Sequence, residues 1–315
     1  MTTLTIFTAP KPFSNPHIAL IQRNAIRCWL ALGAEVEVLM IGDEEGMAET
    51  AAELGARHLP QVARNKLGTP LISSIFNLAR ENGKGVLLAY VNADILLLPD
   101  FIATAHKVKE AQSNFLVVGQ RWDLDVTAPL DYEPGWESGL RQCAMQEGKL
   151  HPPAGSDYFI FPKDAFREMP DFAIGRAGWD NWMIYWARRQ GMATIDATRH
   201  IFIIHQNHDY SHLPGGQPHY RLPESFENVR LAGGRMITRF LLTDCNRQVE
   251  SGIITRKPLT WKRFWREVEI FPLIKLHSRW LGWLFYAIFH PGKAYSETRK
   301  VSDDRRNNEN SPQRR

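Results

Sequence analysis

The sequence predicts an α/β fold: a mostly parallel central sheet with helices on both faces, followed by a helical C-terminal extension. Three observations carry this. Short strand-like runs alternate with amphipathic helical runs through the first half, the order that crossover helices between parallel strands produce. Gly85 to Val91 is almost continuously apolar, as in a strand buried on both faces. The 315 residues are 44% hydrophobic and 23% charged, which suits a sizeable core and not a disordered chain.

Taken in order, Leu4 to Ala9 reads as a strand closed by Pro10 and Pro12. His17 to Leu32 places Ile18, Ile21, Ala25, Cys28, Trp29 and Leu32 at helical spacing, with Gly33 as the stop. Glu35 to Ile41 alternates as a strand, and Met47 to Leu54 is a helix closed by Gly55. Arg57 to Val62 is a short strand, and Pro70 to Arg80 a helix with proline in its first turn. Phe101 to Ala111 is helical, and Phe115 to Val118 returns to strand. The second half is less regular. Asp123 to Trp136 holds Pro129, Pro134 and Gly135 and reads as a long loop, with a helix from Glu137 to Gln146. Strands are expected at Tyr158 to Phe161, Ala193 to Asp196 and Ile201 to Ile204, a helix at Asp180 to Gln190, and a loop at His212 to Pro223.

Charge is unevenly spread. Lys and Arg number 38 against 34 Asp and Glu, but the segment from Arg256 onward holds 14 of the basic residues and 6 of the acidic ones. The body is therefore net acidic, which argues against a nucleic-acid partner. Cys28, Cys143 and Cys245 are widely spaced and lack CxxC spacing, so a reducing, cytoplasmic compartment is expected. Met1 to Pro10 lacks the features of a signal peptide. The longest apolar run, Trp280 to Phe289, is about half the ~20 residues that a membrane-spanning helix needs.

Three segments carry candidate chemistry. In Tyr90-Val91-Asn92-Ala93-Asp94-Ile95 a buried strand runs into a polar turn. Ligands of open α/β sheets bind at such carboxyl ends, and an Asp there can ligate a divalent cation. A solvated turn closed by local hydrogen bonds is the plainer reading. In Gly175 to Trp182, Asp180 stands at the start of a helix. It is either an ordinary helix-capping acid or a general base, and the helix dipole is expected to lower its pKa. Ile203 to His212 places His205, His208 and His212 after a strand. They are metal ligands or polar loop residues.

The order of these segments resembles that of the GT-A glycosyltransferases, the nucleotide-diphospho-sugar transferases, over roughly Leu4 to His212. The resemblance implies a Rossmann-like sheet and one catalytic domain over residues 1–255, with a nucleotide-binding half to about 120 and an acceptor half beyond. Asn92-Ala93-Asp94 takes the place of the family's metal-binding Asp-X-Asp, with Asn92 standing for the first carboxylate. Gly178-Trp179-Asp180 matches the Gly-Trp-acid segment that supplies the base of inverting members, with Asp157 as the rival base. Asp94 and His205 are then ligands of a divalent Mn or Mg. Thr8, Ala9, Pro10, Lys11, Asp43, Arg64 and Asn65 lie around the nucleotide, and Trp179, Asn181 and His208 border the acceptor. The implied reaction is sugar transfer, metal-assisted and inverting, from a nucleotide-diphospho-sugar donor to a glycan or glycolipid hydroxyl. Two rivals are a nucleotidyltransferase and a non-catalytic membrane-peripheral binding protein on a degenerate transferase fold. Thr8 to Ser14 contains no glycine, which counts against the first.

The extension over residues 256–301 interleaves Trp261, Phe264, Trp265, Trp280 and Trp283 with Lys and Arg. It reads either as a helix packed on the body or as an amphipathic segment at an anionic, cytoplasmic membrane face. Residues 302–315 have the composition of a disordered tail.

Overall fold

A computed structural model describes residues 3–209 and 219–296. The predicted loop from His212 to Pro223 lies partly, and the tail 302–315 wholly, outside these residues. The chain divides into two compact units, Met1–Lys257 and Pro258–Arg315.

The first unit begins β1 (Leu4–Thr8), α1 (Pro16–Leu30), β2 (Val36–Ile41), α2 (Met47–Leu54), β3 (Arg57–Leu59) and α3 (Ile72–Asn82). It continues β4 (Leu87–Val91), β5 (Ile95–Leu97), α4 (Asp100–Ala111), β6 (Phe115–Val118), β7 (Trp122–Leu124), α5 (Trp136–Glu147) and β8 (Lys149–Leu150). Then come β9 (Tyr158–Pro162), α6 (Trp179–Arg189), β10 (Ala193–Asp196), β11 (Ile203–Gln206), α7 (Pro223–Ala232), β12 (Arg247–Glu250) and β13 (Ile253–Arg256). The second unit holds α8 (Trp261–Ile274) and α9 (Arg279–Phe289).

The main sheet has the order β13-β12-β10-β6-β9-β4-β1-β2-β3. β3, β2, β1 and β4 are mutually parallel, as are β6, β10 and β12. β9 is inserted antiparallel between β4 and β6. The class is the expected one. A smaller sheet, β5-β11-β7-β8, lies beside it.

Strand alternation gives the main sheet two buried faces. On one, Ile6, Ala89, Val91 and Ile160 share a core with Ala25 and Trp29 of α1. α1 is fixed there by the Trp29 indole N–H, which donates to the Ile95 carbonyl at 2.8 Å. On the other face Phe76 of α3 packs edge-on to Phe7 at 5.0 Å and stacks on Phe161 and Tyr90 at 5.5 and 5.8 Å. Such ring pairs add to area burial.

Several elements differ from expectation for local reasons. Helix α3 starts at Ile72 because Pro70 and Leu71 form backbone bridges to Arg64 and Ala173. β3 stops at Leu59 because Pro60 has no N–H to donate. The first residues of the long predicted loop form β7, paired with β11. The short strands β5 and β8, helix α7 and the β12–β13 hairpin were not anticipated. α7 begins at Pro223, and proline is favoured at a helix start. The β12–β13 hairpin turns at Ser251-Gly252, both at positive φ, the dipeptide signal of a tight turn.

Trp29 is wholly buried. Trp29→Ala is expected to cost about 3–5 kcal/mol, measured by urea denaturation, with the loss traced to the α1–β5 seam.

Candidate active site

Parallel strands end at one edge of a sheet, so β1, β2 and β4 bring Lys11, Asp43 and Asn92 to a common side. The antiparallel β9 begins at that edge. Val91 pairs with Tyr158, and the Asn92 N–H donates to the Asp157 carbonyl at 2.9 Å. This register places Asp157 against the Asn92-Ala93-Asp94 turn. β5 continues from that turn and pairs with β11, setting His205 opposite Ile95.

Asp94, His205 and His208 form one cluster, their ligand atoms within 4.8 Å of one another. His208 Nε2 lies 3.1 Å from Asp94 Oδ2. His208, expected at the acceptor, thus stands against this carboxylate. Lys11 Nζ faces the same pair, 3.1 Å from His208 Nε2 and 3.8 Å from Asp94 Oδ2. Burial of Asp94 opposes its ionisation, but His208, His205 and Lys11 outweigh it and hold the carboxyl well below the usual range. Burial likewise lowers the Lys11 pKa against the pull of Asp94. Asp94 Oδ1 is buried without a hydrogen-bond partner. One carboxylate with an unused buried oxygen and two imidazoles is a donor set that fits a divalent cation.

A second cluster adjoins the first through His205, whose Nδ1 is 3.3 Å from Asp123 Oδ1. Arg121 Nε donates to Asp123 at 2.9 Å, and its Nη1 lies 2.7 Å from both oxygens of Asp157. His151 Nδ1 is 2.7 Å from the other Asp123 oxygen. Asn92 does not point at the cation cluster. Its amide donates to Asp157 and its carbonyl accepts from the Tyr90 hydroxyl, each at 2.9 Å. Arg121 and His151 went unnoticed in the sequence. Arg121 follows β6 at the same carboxyl edge, and that position was the available signal.

Asp180 enters at the second residue of α6. The helix starts at Gly178, at φ 107°, where a Cβ would lie 3.1 Å from the Thr238 methyl; glycine suits both demands. The lowered pKa expected from the helix dipole is not found. Burial raises the Asp180 pKa and the Asp157 charge adds to it, outweighing backbone N–H groups at the helix start. Among the described residues no cation pairs with Asp180. The pKa of the Tyr90 hydroxyl is pushed up by burial and by the charges of Asp94, Asp157 and Asp180.

Thr8 is buried and its hydroxyl has no partner, Ala9 and Pro10 follow β1, and Lys11 is fixed by backbone bonds to Gln22. Arg64 pairs with Asp43 and Glu44. Asn65 donates to Glu224 at 2.6 Å, and Glu224 in turn binds Arg176. Trp179 is buried against Tyr90 and Phe159, a core position and not an open acceptor wall. The Asn181 amide is committed to the Phe240 carbonyl at 2.8 Å. A cavity of about 550 Å³ opens beside His208, lined also by Asn15, His17, Asp125 and Asn207. A larger one, about 660 Å³, is lined by residues such as Leu98, Arg141 and Met145 and contains none of these groups, so size alone does not mark the site.

Arg121→Met leaves Asp157 and Asp123 facing each other without their shared cation. The expected cost is about 3–5 kcal/mol by urea denaturation at neutral pH, with Arg121→Lys losing less.

No protein-family model and no curated protein sequence matches the chain. Solved structures similar to it include a mannosyltransferase from Pyrobaculum calidifontis in complex with GDP-Man and Mn2+. That match has 13% identity and TM-score 0.40, covering 64% of this chain and 56% of the other, so the chain spans little over half of that protein. Glucosyl-3-phosphoglycerate synthase of M. tuberculosis matches at 15% identity and TM-score 0.42, over 82% of this chain and 88% of the other. TarS of S. aureus matches at 13% identity and TM-score 0.30, over 41% of this chain and 23% of that one. These are distant likenesses of scaffold, and the functional reading stands on the site residues.

Proposed function

We propose that the chain is a glycosyltransferase that moves a sugar from a nucleoside-diphosphate-sugar donor to a hydroxyl of a glycan or glycolipid acceptor. The observation that supports this best is the Asp94–His205–His208 cluster at the carboxyl ends of the strands, together with an Asp157 whose charge helps to raise the proton affinity of Asp180. Three free cysteines, Cys28 and Cys245 among them buried, fit a reducing, cytoplasmic compartment.

The leaving group of such a reaction gains negative charge as the sugar departs. A divalent Mn or Mg held by Asp94, His205 and His208 would supply Lewis-acid charge to a diphosphate there. Lys11 Nζ stands 3.8 Å from the same carboxylate and is placed to add a hydrogen-bond donor beside that diphosphate. Asp180 takes the proton of the acceptor hydroxyl while its oxygen bonds to the anomeric carbon. The bond from that carbon to the diphosphate oxygen breaks, and its electron pair leaves with the diphosphate. One in-line displacement of this kind inverts the anomeric centre. Asp157 is held by Arg121 and Asn92 and serves to position the turn and raise the proton affinity of Asp180.

Asp180→Asn is expected to lower turnover by at least ~10²-fold while the donor still raises the melting temperature. Turnover near that of the wild type would remove Asp180 from the role. The raised pKa has a stability consequence of definite sign. A carboxyl whose folded pKa is above its unfolded one stabilises the fold below the unfolded value, near ~4, and loses that contribution as pH rises through the folded value. Asp180→Asn should therefore melt higher than the wild type at pH 7, and the gain should shrink towards pH 3.

Thermal shift with UDP-, GDP- and dTDP-sugars, each with and without Mn2+, tests the donor reading. One donor is expected to give a metal-dependent shift that Asp94→Asn and His208→Ala both lose. No shift with any donor would favour a non-catalytic protein on the same scaffold.

A further inference from the structure

The second unit is a helical hairpin whose inner seam is complete. α8 is capped by the Thr260 side chain and α9 by that of Ser278. Ile270, Leu273, Ile274 and Tyr286 are buried. Gly282 permits the close approach, since a Cβ there would overlap the Leu273 side chain. Glu269, itself buried, is held by Arg266 at 2.8 Å and His290 at 3.0 Å.

A second apolar stripe on each helix is left outside. Trp261, Phe264, Trp265 and Phe271 are exposed on α8, at 74, 40, 42 and 48%. Trp280, Trp283, Leu284 and Ile288 are exposed on α9 at i, i+3, i+4 and i+8, with Trp280 at 71% and Ile288 at 64%. The stripes adjoin where the Trp265 ring lies 6.1 Å from Phe289. Rings so exposed and so closely grouped mark an interaction surface.

The charges choose the partner. Among the described residues of the hairpin, the exposed charged side chains are Lys262, Lys275, Arg279 and Lys293, all basic. Its two acids, Glu267 and Glu269, are less exposed and paired with Arg263 and Arg266. A second copy docking by the same face would oppose like charges. A bilayer with anionic headgroups offers the complement, and tryptophan favours the headgroup boundary. The 11 residues of α9 extend about 16 Å, against the ~30 Å of a hydrocarbon core. No helix among the described residues is long and apolar enough to cross a membrane.

We infer that the α8–α9 hairpin is an interfacial anchor. It lies in the plane of an anionic lipid surface, with its aromatic stripes at the headgroup boundary and its lysines against lipid phosphates. This holds whether or not the first unit transfers sugar, because lipid binding is read without any donor.

The test is flotation of the full chain with phosphatidylcholine vesicles, with and without phosphatidylglycerol, at low and high salt. The wild type is expected to float with the anionic vesicles and to be partly released by salt. The variant Trp280→Ser/Trp283→Ser/Ile288→Ser changes only exposed positions, and circular dichroism checks its folding. Its partitioning should fall by at least about tenfold. Lys262→Gln/Lys275→Gln/Lys293→Gln should lose mainly the preference for anionic over neutral vesicles. Equal flotation of the aromatic variant and the wild type would overturn the anchor. So would a wild type that ignores vesicles but forms a dimer dispersed by the same substitutions.

Discussion

The first unit is organised around a single electrostatic problem. Asp94, Asp157 and Asp180 stand around the carboxyl ends of the main-sheet strands, Asp94 and Asp157 buried, and Asp123 of β7 joins them from the smaller sheet, partly exposed. Carboxylates in such a place are tolerated only when cations or N–H groups face them. Arg121 answers for two of them by binding Asp123 and Asp157 at once. His205, His208 and Lys11 answer for Asp94. Asp180 receives only backbone N–H groups, and its affinity for a proton rises accordingly. The same scarcity of counter-charge that strains the fold makes one carboxyl chemically different from its neighbours, the pattern by which acid and base roles are divided in many sites.

The scaffold supports this by registry. Tyr90, near the end of β4, packs between Phe7, Phe76 and Trp179 with its hydroxyl on Asn92. Its ring belongs to the core and its oxygen to the polar edge. The aromatic face beneath the site therefore fixes the turn that presents Asp94, and Asn92 joins that turn to Asp157 across the sheet.

Much of this was legible in the sequence, and the reason is local. Asn92, Asp94, Asp157, Asp180 and His205 sit at or beside strongly patterned elements, so the ends of those elements could be read from periodicity. Arg121 stands just beyond the patterned run of β6, whereas His151 and Glu224 belong to stretches without a usable period, and pairing across the chain brings all three in. The partner of His208 and the proton affinity of Asp180 depend on tertiary burial and on neighbouring charge. No one-dimensional pattern encodes those. The hairpin β12–β13 is a different case. Its Ser-Gly turn was visible, but its strands are short and half-exposed.

The antiparallel β9 carries a further consequence, for the order in which the molecule can form. β4 is fully buried, and its sequence LLAYV is entirely apolar. One edge is covered early by β1, but the other pairs with β9, so Val91 waits for Tyr158. On the ribosome the chain grows at roughly 5–20 residues per second. For several seconds β4 therefore presents an unpaired, apolar edge of the kind that recruits foreign strands. The insertion that completes the site also makes the nascent N-terminal half a natural client for chaperones.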